Sequence, residues 1–135
     1  MKKFINCMTH ALDIENEDIL NSDLGLWYSS DPFTEISVKC QKVFHRTCRR
    51  IKRKDELLEG EWLVAFFGFV AYKFDYEGRP EVFDYHFAKQ ESNGTWTERP
   101  SVFQEIQNVD IDNMIFEYSK IGVKPIFMAI GKAED

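Results

Sequence analysis

The chain has 135 residues, of which 44% are hydrophobic, 30% charged and 15% aromatic, and twelve of the aromatics are phenylalanine. That length fits a single domain over residues 1–135 with an ordinary core, and the phenylalanine share favours strands over a small helical bundle. A net charge of −6 argues against general nucleic-acid binding, and no apolar run approaches the eighteen or so residues of a membrane span.

Residues 1–18 begin with two lysines but reach Glu15, Glu17 and Asp18 before any apolar run of signal-peptide length, so a cytoplasmic setting is expected. Residues 6–14, NCMTHALDI, read as a short helix, with Asn6 as N-cap and Met8, Ala11 and Leu12 at helical spacing. Residues 15–32 read as a polar loop, in which Asn21, Ser22, Asp23 and Gly25 mark turns. Asp31-Pro32 signals a helix start. Phe33, Ile36, Cys40, Val43 or Phe44, Thr47 and Ile51 then recur at steps of three and four, which predicts one long amphipathic helix over 33–52. Its other faces carry Lys39, Lys42, Arg46, Arg49, Arg50, Lys52, Arg53 and Lys54. This basic end complements the helix dipole; it reads as a solvated surface with loose ion pairs or as a docking patch for an acidic partner.

Residues 61–76, EWLVAFFGFVAYKFDY, are too apolar and β-prone for a surface helix and predict a central strand over 62–74, covered on both faces. Glu77-Gly78-Arg79-Pro80 marks a turn, and strands over 81–90 and 95–99 flank a hairpin turn at Ser92-Asn93-Gly94. A short helix around 110–119 and a last strand over 124–131 complete the reading. Two helices followed by a mainly antiparallel sheet make an α+β domain, with the N-terminal helices packed on the sheet.

Cys7, Cys40 and Cys48 are an odd set without a Cys-x-x-Cys pair, which excludes a disulfide framework and gives no zinc signature; no metal or cofactor is expected. Cys40 and Cys48 fit the core of the predicted helix. Cys7 differs, because free amides and the dipole at a helix start stabilise a thiolate and offer an oxyanion site. His86, on a strand between Tyr85 and Phe87, is either a structural residue of a half-buried sheet or an imidazole held against a helix-borne thiol. His10 and His45 read as surface or polar-edge residues.

The opening Asn6-Cys7, with Ala11 and Leu12, resembles the Asn-Cys-Tyr-x-Tyr-Ala opening of small bacterial proteins related to NlpC-type papain-like cysteine peptidases. Asp84, Tyr85, His86, Phe87, Gln90, Gly94, Trp96 and Pro100 are similar to that family's Asp-Tyr-His-Trp-Tyr-Arg-Gln hairpin and its Trp-Ser-His-Lys-Pro-Gly return. The resemblance implies a papain-like fold and a cysteine hydrolase acting on an amide or isopeptide bond of a peptide or protein substrate, as peptidase, amidase or deamidase. Cys7 would attack the carbonyl and His86 would shuttle the proton. Met8-Thr9-His10 replaces the aromatic segment after the cysteine, Ser101 replaces a glycine, and Glu98 stands where the family has a second histidine. Glu98 is the expected acceptor that orients His86, with Asn108, Asp110 and Asp112 as rivals. These substitutions equally imply an alternative, in which the scaffold is kept without activity and serves as a binding or inhibitor protein of a phage or mobile element.

Overall fold

A computed structural model describes residues 7–14, 32–74, 80–99 and 105–133. Six strands, β1 (Arg46–Ile51), β2 (Trp62–Phe74), β3 (Pro80–Gln90), β4 (Trp96–Glu98), β5 (Gln107–Val109) and β6 (Ile126–Lys132), form one sheet. Their order is β1-β6-β2-β3-β4-β5, and every pairing is antiparallel. Among the described residues, three α-helices accompany it: α1 (Cys7–Leu12), α2 (Pro32–Lys39) and α3 (Ile111–Ser119). The fold is thus α+β, and the four strands predicted from the sequence lie in one sheet.

The continuous apolar run of β2 is explained by cover on both faces. Val64 and Phe66 enter a cluster with Met8, Leu12, Ile36 and Cys40, under α1 and α2. Leu63, Ala65 and Phe67 enter a second cluster with Trp96, Ala129 and, from α3, Ile111, Ile115 and Tyr118. Phe66, Phe67 and Phe87 are all but inaccessible to solvent, and each contributes roughly 1.5–3 kcal/mol by burial. The Phe67 and Tyr118 rings stack at 4.3 Å, tying α3 to the sheet. The predicted turn after β3 also forms: Gly94 takes a positive φ of 89°, and Asn93 Oδ1 accepts from the Thr95 amide at 2.9 Å.

The long helix expected over 33–52 is corrected. α2 runs on only through a wider π-type turn, Cys40–Phe44, and His45 ends it in the left-handed region at φ 55°. Residues 46–51 are instead the edge strand β1, paired in register with β6 from Arg46↔Lys132 to Ile51↔Phe127. The misreading has a simple cause. Thr47 and Ile51 are four apart, so they share a helical face, but an even spacing also places them on one face of a strand. The outer strand β5 is a second addition, too short to give a pattern. The expected N-cap Asn6, the loop over 15–31, and the turn residues Glu77, Gly78 and Arg79 lie outside the described residues.

α1 is fixed by bonds to its C-terminal carbonyls, the groups a helix end leaves unsatisfied. Trp62 Nε1 donates to Ala11 O at 2.8 Å, and the Arg46 guanidinium donates to Leu12 O at 2.9 Å and to Asp13 O at 2.7 Å. One cation expected on a solvated helix end is therefore engaged in holding α1 against the sheet.

Candidate functional site

Successive strand residues face opposite sides of a sheet, and this decides how the expected site residues meet. On β3, Tyr85 and Phe87 belong to the α1 face, where their rings adjoin Phe66. His86 lies between them and opposite Phe67 in the β2–β3 register, so it belongs to the α3 face. There His86 Nε2 hydrogen-bonds Glu98 Oε2, and the second carboxylate oxygen accepts from Gln107 Nε2 at 2.8 Å. Both side chains of the pair are largely shielded, at 15% and 11% exposure. β3, β4 and β5 thus supply one residue each to a His86–Glu98–Gln107 chain that fixes the imidazole's orientation.

The rivals of Glu98 are placed elsewhere. Asn108 pairs with Thr97 and so lies on the α1 face. Asp110 caps α3, its Oδ1 accepting from the Asn113 amide at 3.1 Å. Asp112 stands in the first turn of that helix. Gln107 is not among the expected orienters: the sequence points to Asn108, Asp110 and Asp112 beside it, and nothing in its own side chain sets it apart from Asn108.

All three thiols lie on the other face. Cys40 is in the α1-face cluster, and Cys7 and Cys48 pack against it. Cys7 is partly buried. Cys48 Sγ donates to Met128 Sδ at 3.7 Å; its interaction with the neighbouring Cys40 thiol draws the Cys40 pKa down and drives that of Cys48 far up, burial adding to the latter. The structure brings His86 and Glu98 together, while Cys7 packs against the α1-face cluster and strand alternation assigns His86 to the α3 face.

The histidine that shares the thiols' face is His10. Its Nε2 lies 2.9 Å from Thr97 Oγ1, and the Thr97 hydroxyl donates to Glu91 Oε1 at 2.8 Å. Since that hydroxyl proton is directed to the carboxylate, Thr97 accepts from His10, and Nε2 carries the proton. Burial, followed by the charge of Lys89, lowers the His10 pKa, so the ring is a buried neutral donor rather than the surface residue expected.

Among the described residues, no group of three or more histidines, cysteines and acids is placed to hold a metal ion, and no helix is long and apolar enough to cross a membrane. No protein-family model, curated protein or solved structure matches the chain.

Proposed function

We propose that this chain is a non-catalytic binding protein on a papain-like scaffold, one that engages a protein partner rather than cleaving a bond. The observation that carries this reading is the distribution of reactive groups: three thiols on the α1 face, and the His86–Glu98 pair on the α3 face. Thiol–imidazole catalysis needs nucleophile and base within hydrogen-bond reach, looser in an unliganded protein but not across a packed strand. The scaffold itself rests on the resemblance of the Asn6-Cys7 opening and of the hairpin from Asp84 to Pro100. In a partner-binding role the His86–Glu98–Gln107 chain acts as a structural tie among three strands, which satisfies polar groups that burial would otherwise penalise.

Alkylation of Cys7 tests the reading. With iodoacetamide at neutral pH and peptide mapping of the labelled sites, Cys7 should react no faster than an ordinary thiol of its exposure. His86→Ala should leave that rate unchanged. Accelerated labelling that collapses in His86→Ala would restore the hydrolase.

A further inference from the structure

The chain is acidic overall, yet six cations fall within residues 46–54. Two are engaged internally: Arg46 on the end of α1, and Arg49 in a two-pronged bridge to Glu61 at 2.6 and 3.0 Å. The turn after β1 carries three of the others, Lys52, Arg53 and Lys54, all exposed. Its backbone is held in place from within. Glu56 Oε2 accepts from the amides of Lys52 and Arg53 at 2.6 and 2.8 Å, and Arg49 donates to Glu56 O at 2.9 Å. The Glu56 carboxylate is thus committed to backbone amides, and the only ion pair resolved for these three side chains among the described residues is a loose one, Arg53 to Asp55 at 3.5 Å.

These cations border a cavity of about 250 Å³ on the α3 face, floored by Leu63, Trp96, Ile115 and Phe127. The start of α3, with Asp112, and Gln90 also line it. The volume lies below the roughly 300–1,000 Å³ of clefts that enclose small molecules and cofactors. It matches one large apolar side chain, the kind of anchor that dominates protein interfaces.

We infer that this cavity is a docking site for an acidic peptide segment of a partner protein, which seats one aromatic or large aliphatic side chain on Trp96 and Phe127 and sets its flanking carboxylates on Lys52, Arg53 and Lys54. A fixed turn backbone lowers the ordering cost of binding. The inference rests on the binding-protein reading above, whose own test is the alkylation of Cys7, so the failure of one is distinguishable from the failure of the other.

Two-dimensional NMR of the full chain provides the test, with the peptide acetyl-Asp-Glu-Phe-Asp-Glu-amide as probe. It should shift the Trp96 indole and the backbone signals of Lys52, Arg53 and Lys54, with saturation in the submillimolar range. A peptide with alanine in place of phenylalanine should bind at least about tenfold more weakly, and raising the salt on the unaltered protein should weaken binding further. The double variant Lys52→Glu/Lys54→Glu should lose at least about tenfold in affinity while signals from β2 and β6 stay in place. Equal binding of the phenylalanine and alanine peptides, shifts confined to other surfaces, or no saturation would overturn the inference. So would tighter binding of phenylacetate, which would make the cavity a small-carboxylate site, or of an oligothymidylate.

Discussion

His10 shows how far one residue's setting alters its chemistry. It is 8% exposed, donates from Nε2 to Thr97, and is acted on by Lys89 and Arg99, which oppose its protonation, and by Glu91 and Asp13, which favour it. Desolvation is the largest effect, and its pKa falls below the ordinary 6.5. The unfolded chain therefore takes up this proton at higher pH than the folded one. Stability should fall as pH drops through 6.5 and level off below the folded pKa of His10. Glu56 and Glu61, held below 4.5 by backbone amides and by Arg49 respectively, lose their contribution only at lower pH. Thermal melts between about pH 7.5 and 5.5 should show the slope, and His10→Gln, which retains a donor for Thr97, should flatten it. A slope that persists in the variant would assign the effect elsewhere. At this scale the sequence was informative through the resemblance of the hairpin: Glu98 stands at the position of a family histidine, and a carboxylate there can orient His86. It was silent on Gln107 and on His10, whose roles depend on which strands lie beside them.

Among the elements, β1 is where pattern and structure part. Ala133 N donates to His45 O at 3.1 Å, which sets the phase of the β1–β6 ladder. Alternation then points the amides of Thr47, Arg49 and Ile51 into the ladder and those of Cys48 and Arg50 away from the sheet. Amide hydrogen exchange should be slow at 47, 49 and 51 and fast at 48 and 50; continuous protection through 46–51 would indicate the helix that the apolar spacing suggested. β2, β3 and β4 were legible because β2 and β3 carry long runs of β-prone aromatics and the turn chemistry of Ser92-Asn93-Gly94 is strong. β1 was not, since its cations obscure an alternation only six residues long, and its place at the sheet edge is set by β6, some eighty residues away in sequence. The same error spread the cations of 46–54 over a helix surface, when Arg46 anchors α1, Arg49 bridges to Glu61, Arg50 stands on β1 and Lys52, Arg53 and Lys54 lie on an exposed turn.

Across the whole molecule, the proposed function turns on the parity of one strand. Tyr85, His86 and Phe87 are adjacent in sequence, yet the sheet sends the two aromatics to the layer of α1 and α2 and the histidine to the layer of α3. The sequence supplied a thiol at a helix start and an imidazole on a strand; it did not supply the face on which that helix docks, which is set by Trp62 and Arg46 reaching the carbonyls of α1. The proposed binding role rests on that placement, and the exposed cationic turn at Lys52, Arg53 and Lys54 is the surface proposed for it. The most direct measurement is the proton–proton Overhauser pattern of the His86 ring in the folded protein. The structure predicts cross-peaks from the ring to Phe67, its cross-strand neighbour, and none to the Cys7 β protons. Cross-peaks between His86 and Cys7 would contradict the separation and return the chain to the cysteine hydrolases.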